Sequence, residues 1–258
     1  MDKILILGAS GFSGRYFQQY ILQNRIDEQF HIIGVDLVKA KVNKFDYKQC
    51  DLLDDNELSD LIRTEEPEYI VNFAGLSHSE NSGLVINTNT RISRTFCESV
   101  FKYGITLKKL LLIGSAAEYG DNQALPLSES AILNPMNIYG LSKIWQTYQA
   151  KYFRNRYNLK ISMARTFNIS ACDLPTKMSL GSFIQQIRNI HSRGTLIVGN
   201  IETKRDFVDI NDVVDAYWRI LMNDQDDFIF NVCSGHSLLI SDIIKHLVKA
   251  SKKHIKIV

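Results

Sequence analysis

Three side chains of this sequence have the types and spacing that proton exchange with an oxygen atom requires: Ser115, Tyr139 and Lys143. Tyr139 and Lys143 open a segment of helical period, and residues four positions apart share one face of a helix. The same spacing is also typical of an exposed helix pair. Ser115, however, follows an apolar run that predicts a strand, so we expect the three side chains to converge at one sheet edge.

These side chains permit hydride transfer at a carbinol or carbonyl carbon. A phenol with a pKa of about 10 is a poor base at neutral pH. We expect the ammonium of Lys143 and a positively charged nicotinamide ring to lower the pKa of Tyr139, which would then carry the proton. Ser115 would hydrogen-bond the same substrate oxygen and hold the reacting carbon in place.

A glycine-rich turn after the first apolar run is typical of dinucleotide binding. Gly8, Gly11 and Gly14 are spaced three apart and open a second helical segment. Glycines permit the tight turn and let backbone N–H groups approach a pyrophosphate at the positive end of the helix. A plain strand-to-helix turn has similar glycines, but the position at the first strand favours the dinucleotide. The cofactor residues predicted here are Gly8, Ser10, Gly11, Phe12 and Gly14.

Two acidic residues after the next strands are candidates for binding the adenosine half of the cofactor. Asp36 lies about twenty residues past Gly14, where a carboxylate accepts from ribose hydroxyls and repels a 2′-phosphate. NAD is therefore the expected cofactor, with NADP possible because Lys39 and Lys41 are close in sequence. Asp51, followed by Leu52, would accept from the adenine amino group or would cap a helix, and the sequence leaves both open.

The charge balance excludes other partner classes. Among 258 residues, 30 basic and 28 acidic side chains give a formal charge of +2, so no whole-molecule field attracts nucleic acid or an anionic membrane. No apolar run approaches a membrane span or a signal segment, and we expect a cytoplasmic location. The histidines and cysteines show no metal-ligand spacing, so no metal site is predicted.

Short apolar runs alternate with helix-sized segments, which predicts a doubly wound α/β fold with a Rossmann-type parallel sheet of about seven strands. The predicted strands are 3–7, 30–35, 45–50, 69–73, 109–113, 160–165 and 228–232. The alternation of predicted strands and helices breaks off at 168–204 and after 235, where helical patterns appear without predicted strands. We therefore expect residues 1–167 and 205–235 to form the dinucleotide domain, and 168–204 and 236–258 to form a small substrate-binding lobe.

The chain resembles the extended short-chain dehydrogenase/reductases of the sugar-nucleotide epimerase/dehydratase group over almost its whole length. The resemblance rests on the glycine turn, the Ser, Tyr and Lys set and further motifs. These are Asn72-Phe73-Ala74-Gly75, Asn87, Arg165-Thr166-Phe167-Asn168, the run from Arg205-Asp206-Phe207 to Val214, and Asn231-Val232-Cys233-Ser234-Gly235.

The resemblance implies a nucleotide-diphosphate sugar as substrate and further site residues. Phe73, Ala74, Gly75, Asn87 and Phe167 join Lys143 as implied cofactor contacts. Implied substrate contacts are Ser77, Ser115, Ala116, Tyr139, Asn168 and Arg205, the last two on the diphosphate.

The amino-acid sequence of the motifs at 114–120 and 205–209 is most similar to that of GDP-4-keto-6-deoxymannose reductases. This similarity implies NAD(P)-dependent reduction of a 4-keto-6-deoxyhexose. Dehydratases of the group have an acidic residue where this chain has Ala117, which argues against that branch. A nucleotide-sugar 4-epimerase and a non-catalytic dinucleotide-binding protein are the alternatives.

The resemblance also implies a homodimer formed through a four-helix bundle of the segments 90–103 and 139–157, although their apolar residues suit a monomer core equally well. The sequence ends about where relatives continue, so we expect a substrate lobe that is either truncated or naturally shortened.

Overall fold

The computed structural model of the chain describes residues 1–38, 44–121 and 125–258. In chain order, the strands of this part are β1 (Lys3–Leu7), β2 (His31–Asp36), β3 (Asp46–Gln49), β4 (Tyr69–Asn72), β5 (Lys109–Ser115), β6 (Ile161–Thr166), β7 (Asn168–Ser170), β8 (Arg193–Leu196), β9 (Lys204–Asp209), β10 (Ile229–Val232), β11 (Ser237–Leu239) and β12 (His254–Ile257). The helices are α1 (Phe12–Gln23), α2 (Asp55–Glu65), α3 (Ser82–Lys102), α4 (Ile138–Tyr157), α5 (Ser179–Asn189), α6 (Ile210–Met222) and α7 (Ile240–Ser251).

The described chain divides into two compact units. Unit 1 comprises Met1–Thr166 and Asn211–Val232, and unit 2 comprises Phe167–Ile210 and Cys233–Val258. Sequence reasoning grouped residues 167, 205–210 and 233–235 with the dinucleotide domain, whereas they belong to unit 2. β9 pairs with β7 and β11 of unit 2, which explains the difference.

Unit 1 contains a parallel sheet of seven strands in the order β10-β6-β5-β4-β1-β2-β3. Its central strands are almost continuously apolar because both faces of the sheet are covered, and Ile4 to Leu7 are fully buried. All seven predicted strands are present within about two residues, so the predicted doubly wound α/β fold is confirmed. The strand order reverses between β1 and β4, and ligands of such sheets bind beyond the carboxyl ends of the strands at that point.

Unit 2 contains two small sheets, β11-β9-β7 and β12-β8. Its core includes Ile187, Leu196, Ile240 and Ile244. The expectation that strands are absent from 168–204 and the end of the chain was wrong, since β7, β8, β11 and β12 lie there. Strands of three or four residues are too short to show alternation, and pairing with distant segments decides their conformation. Among the described helices of either unit, none combines the length and apolarity that crossing a bilayer demands.

Candidate active site

The three predicted catalytic side chains lie together where β5 ends and α4 begins. Ser115 is the last residue of β5, and Tyr139 lies in the first turn of α4, one turn before Lys143. Tyr139 and Ser115 share a side-chain hydrogen bond. Lys143 Nζ lies 5.8 Å from the centre of the Tyr139 ring. The structure thus contains the convergence that the spacing indicated, and the catalytic roles stay predictions.

Lys143 is almost fully buried, with 5% of its surface exposed. Its Nζ donates to the Ile113 carbonyl oxygen at 2.8 Å and to Gln146 Oε1 at 3.0 Å. Burial lowers the pKa of Lys143 to about 8, and the negative charge of Glu118 opposes this change. An ammonium group has three hydrogens to donate, so these two bonds leave one for a ligand hydroxyl.

The pKa of Tyr139 moves opposite to the sequence prediction. Burial raises this pKa, and the charge of Glu118 acts in the same direction, while the hydrogen bond with Ser115 lowers it. The expected lowering by Lys143 is wrong for the protein alone, because the Lys143 ammonium binds Ile113 and Gln146 instead of the phenol oxygen. A phenol with a raised pKa stays protonated at neutral pH, as a proton donor must.

Ser115 is held by the short turn that follows β5. Its Oγ accepts from the Ala117 N–H at 3.2 Å, and its own backbone N–H donates to Glu118 Oε1 at 3.0 Å. This reciprocal pair is a capping box that begins the 3₁₀ turn Ala116–Glu118. Ala116 is half-buried beside the serine. The Glu118 side chain therefore turns back into the protein, where it is fully buried.

Arg165 connects three of the motifs that carry the family resemblance. Its Nε donates to Glu118 Oε2 at 3.0 Å and its Nη1 donates to the Tyr119 hydroxyl at 3.0 Å. The Tyr119 hydroxyl donates to Asn231 Oδ1 at 2.7 Å. Arg165 has 3% of its surface exposed, so it holds the site together from inside unit 1.

The glycine turn between β1 and α1 has the geometry of an anion cradle. Gly8 has φ +76°, and a Cβ there would lie 2.6 Å from the Ala74 backbone nitrogen. A Cβ at Gly14 would overlap the Gly8 carbonyl oxygen. In the described chain no side chain caps α1 at Gly11, whereas α2, α3 and α4 are capped by Asp54, Asn81 and Asn137. The uncapped N–H groups of α1 fit a pyrophosphate.

Asp36 lies beside this turn, at the end of β2. Its Oδ2 accepts from the Ser10 N–H at 2.9 Å, which leaves acceptor sites on the carboxylate for ribose hydroxyls. The Ser10 hydroxyl lies 2.8 Å from the hydroxyl of Tyr47, which follows in β3. The Tyr47 ring lies over Gly34, where a Cβ would be 3.1 Å from it. Lys39 and Lys41 lie outside the described residues.

Asp51 does not cap α2, so that alternative was wrong. The N-cap is Asp54, whose carboxylate accepts from the N–H groups of Asn56 and Glu57. Asp51 Oδ1 accepts from the Leu53 N–H at 2.9 Å, which stabilises the turn before the helix. Leu52 is 7% exposed and packs in the core, and its contact with the cofactor stays a prediction.

The loop after β4 is tied to α3 and α4 by Asn89. This side chain accepts from the Leu76 N–H at 2.8 Å and donates to the Leu76 carbonyl oxygen and to Ser142 Oγ. A Cβ at Gly75 would lie 2.8 Å from Asn89 Oδ1 and 3.6 Å from Lys143 Nζ, so only glycine leaves this space open. The predicted Asn87 is instead exposed. Asn87 lies two positions away from Asn89, on another face of α3, and its contact with the cofactor stays a prediction.

The other predicted residues of unit 1 lie near this loop. The Phe73 ring contacts Phe17 and Tyr217, with ring centres 5.3 and 5.6 Å apart, and Ala74 is half-buried. Ser77 is exposed, as is His78 beside it.

Three predicted residues belong to unit 2. Asn168 Nδ2 donates to the Asp206 carbonyl oxygen at 2.9 Å, and Phe167 precedes it half-buried. Arg205 is exposed, and its Nη1 donates to the carbonyl oxygen of Lys204. The next residue, Asp206, accepts from Ser234 and Gly235 and fixes the start of the closing turn.

Sequence reasoning did not assign a site role to Glu118, Gln146, Asn89 or Tyr47. Gln146 had a usable signal, since it lies three residues after Lys143 on the same helix. Asn89 is distinguished from Asn87 only by burial. Glu118 and Tyr47 contact Arg165 and Ser10 across 47 and 37 positions, and a single sequence contains no signal of such contacts.

The parallel sheet, the glycine turn with its carboxylate, and the joined Ser, Tyr and Lys side chains define a dinucleotide-dependent oxidoreductase of the extended short-chain dehydrogenase/reductase type. The family comparison agrees with this class. The chain belongs to the NAD dependent epimerase/dehydratase family, whose model matches residues 4–233, and it is an NAD(P)-dependent enzyme.

The most similar proteins include both reductases and epimerases. GDP-6-deoxy-D-mannose reductase from Pseudomonas aeruginosa is 25% identical over 100% of this chain and 83% of its own length. The structure of RMD from the same species, complexed with NADPH, is 24% identical with a TM-score of 0.83, covering 100% of this chain and 85% of that one. UDP-glucuronic acid 4-epimerase from Bacillus cereus, in complex with UDP-glucuronic acid and NAD, is 21% identical with a TM-score of 0.86, covering 99% and 86%.

Proposed function

We propose that this protein is an NAD(P)H-dependent reductase of a nucleotide-linked 4-keto-6-deoxyhexose. The observation that supports this proposal most is the hydrogen bond between Tyr139 and Ser115, together with the burial that raises the pKa of the phenol. A reductase needs an acid at this position, because the ketone oxygen must receive a proton as the carbon receives hydride. The reductase from P. aeruginosa supports this choice of reaction.

In this mechanism Ser115, Tyr139 and Lys143 have different tasks. Ser115 donates a hydrogen bond to the ketone oxygen and orients it, and Tyr139 transfers its proton to that oxygen. Lys143 holds a ribose hydroxyl through its remaining hydrogen and stabilises the phenolate that is left. When bound, the reduced nicotinamide supplies the hydride. The proton lost by Tyr139 is replaced from solvent after product release.

NAD is the preferred cofactor in this proposal, because the Asp36 carboxylate next to the glycine turn repels a 2′-phosphate. The bond from Ser10 fixes this carboxylate in place. For the substrate, Arg205 and Asn168 are proposed to bind the diphosphate. The guanidinium of Arg205 is exposed and suits this role, since an arginine can donate two parallel hydrogen bonds to phosphate oxygens.

The deciding experiment is a turnover assay with GDP-, dTDP- and UDP-linked 4-keto-6-deoxyhexoses and either NADH or NADPH. A reductase oxidises one nicotinamide per sugar reduced. Sugar isomerisation without nicotinamide consumption would instead establish a 4-epimerase, the activity of the B. cereus relative. A cofactor-induced rise in melting temperature with no turnover of any sugar would favour a non-catalytic binding protein.

We also propose that two copies associate through α3 and α4. Large aromatic side chains on these helices are exposed: Phe101, Trp145, Tyr148 and Tyr152 are each between 47% and 60% accessible. Exposed aromatic patches of this kind mark protein interfaces. Light scattering should give a dimer mass for the wild type and a monomer mass for Tyr148→Glu. A monomeric wild type would refute the interface.

A further inference from the structure

The Glu118 carboxylate is fully buried and binds three donors from three different elements. Its Oε1 accepts from the Ser115 N–H of β5 at 3.0 Å. Its Oε2 accepts from Thr147 Oγ1 of α4 at 2.8 Å and from Arg165 Nε of β6 at 3.0 Å. All four residues lie in unit 1, and Glu118 has 0% of its surface exposed.

Burying a carboxylate is costly unless it is paired and hydrogen-bonded, and Glu118 meets both conditions through Arg165 and its other two donors. Thr147 and Arg165 share one oxygen of Glu118, and the other oxygen holds the backbone of Ser115. The space around that second oxygen is also limited. A Cβ at Gly114 would lie 2.7 Å from Glu118 Oε1, so glycine at position 114 admits the carboxylate.

We propose that Glu118 is a positioning residue, which fixes the backbone of Ser115 relative to α4 so that the serine hydroxyl meets the ketone oxygen beside Tyr139. The contact with Thr147 links Glu118 to the helix that contains Tyr139 and Lys143, because Thr147 lies one turn after Lys143 on α4. Glu118 itself touches no reacting atom. This inference rests on the proposed function, and no motif spacing indicates it.

The charge of Glu118 affects the pH profile of the reaction, which would not depend on this charge if Glu118 were merely structural. The groups that face it are Arg165 from β6, Tyr139 and Lys143 from α4, and its neighbour Tyr119. Its negative charge raises the pKa of both Tyr139 and Lys143. Neutralising Glu118 should therefore move the basic limb of the kcat/KM profile to lower pH.

The test compares Glu118→Gln with Asp55→Asn. Asp55 is a matched control because it also accepts from an arginine and a threonine, Arg91 and Thr95, but it lies at the start of α2 and does not contact Ser115. We expect Glu118→Gln to lower kcat at least tenfold, to shift the basic limb to lower pH, and to change the dissociation constant of NADH less than twofold. Asp55→Asn should lower the melting temperature and leave kcat and the pH profile as in the wild type.

Hydrogen exchange of the Ser115 amide, measured by NMR without ligands, tests the contact separately from activity. Exchange should be at least tenfold faster in Glu118→Gln, since the charge-assisted bond to Oε1 is weakened. A folded Glu118→Gln protein with wild-type kcat, pH profile and amide exchange would overturn the proposal.

If Glu118→Gln does not fold, Gly114→Ala tests the same contact. The new Cβ at position 114 displaces Glu118 Oε1 without changing any charge. Faster exchange of the Ser115 amide with a reduced kcat then supports the positioning role, and unchanged values overturn it. Should the wild type reduce no keto sugar, the proposed function fails, and the Ser115 amide exchange alone decides whether Glu118 holds the serine.

Discussion

The loop after β1 and the loop after β5 lie on the same sheet edge but are stabilised in different ways. The β1 loop is shaped by missing side chains, with Gly8 and Gly14 in close backbone contact and Asp36 accepting one N–H. The β5 loop is held by a buried network of charged side chains, in which Glu118 connects Ser115 to Arg165. The proposed phosphate-binding turn is thus open backbone, whereas the serine that we propose to be catalytic is held in place by buried side chains.

Among the substitutions that affect one loop and not the other, Tyr139→Phe should have the largest effect on activity. Removing the proton donor beside the β5 loop should lower kcat by about a thousandfold, as is typical for loss of a general acid. Cofactor affinity should stay within twofold of the wild type, because the β1 loop is unchanged. Steady-state kinetics and NADH titration measure the two quantities.

The control for this substitution is Tyr157→Phe, at the last turn of the same helix, which should keep wild-type kinetics. Equal losses of kcat and cofactor affinity in Tyr139→Phe would contradict the separation of the two loops.

Gly14→Val should give the opposite pattern. Its side chain would overlap the Gly8 carbonyl oxygen and the Ala9 backbone, so the turn has to open. We expect the dissociation constant of NADH to rise about a hundredfold and the free energy of unfolding to fall by about 3 kcal/mol, the upper range for overpacking. Gly199→Val is the control, because a Cβ at Gly199 meets no described atom within 4 Å. Wild-type NADH affinity in Gly14→Val would show that the turn is not the cofactor site.

Lys143→Met tests the charge dependence of the β5 region through stability. The pKa of Lys143 is lowered from 10.5 to about 8 in the folded protein, so between these values the unfolded chain binds more protons than the folded one. Stability of the wild type relative to Lys143→Met should therefore increase with pH, by up to about 3 kcal/mol between about pH 7 and about pH 11.

Urea denaturation at several pH values measures this difference. Lys151→Met, an exposed position on the same helix, should follow the wild type. A constant difference between wild type and Lys143→Met across the range would show that Lys143 is not a buried charge.

Asp36→Ser should have the smallest effect and should be confined to the β1 loop. Removing the carboxylate relieves its repulsion of a 2′-phosphate, and we expect the affinity ratio of NADP to NAD to rise about tenfold, or about 1.4 kcal/mol. Asp46→Asn, an exposed carboxylate on the neighbouring strand β3, should leave the ratio unchanged. Titration with both cofactors checks this, and an unchanged ratio in Asp36→Ser would remove Asp36 from cofactor selection.

The sequence predicted the β1 loop better than the β5 loop because the two depend on different distances along the chain. Gly8, Gly14 and Asp36 act through local turn geometry and through a fixed offset from strand to strand, which a single sequence displays. Ser115, Tyr139 and Lys143 were also recognisable by type and spacing. The contact between Glu118 and Arg165 joins positions 47 apart, and only the folded chain shows it.

The remaining differences also have physical causes. The raised pKa of Tyr139 depends on burial, which composition does not reveal at one position. The bonds of Asn89 to Leu76 and Ser142 depend on burial, and its position in the sequence does not distinguish it from Asn87. The short strands of unit 2 form through pairing with distant segments, so their own residues show no pattern.

The position of β4 between β1 and β5 limits which small molecules inhibit the enzyme, and how. Two interstrand spacings separate the glycine turn from Ser115, which is about 10 Å. A truncated nucleotide such as ADP can fill the first position and end before it reaches the second. Such a fragment should compete with the dinucleotide while leaving room for the keto sugar that we propose as substrate, whereas a compound that blocks both positions must be long enough to extend past Gly75.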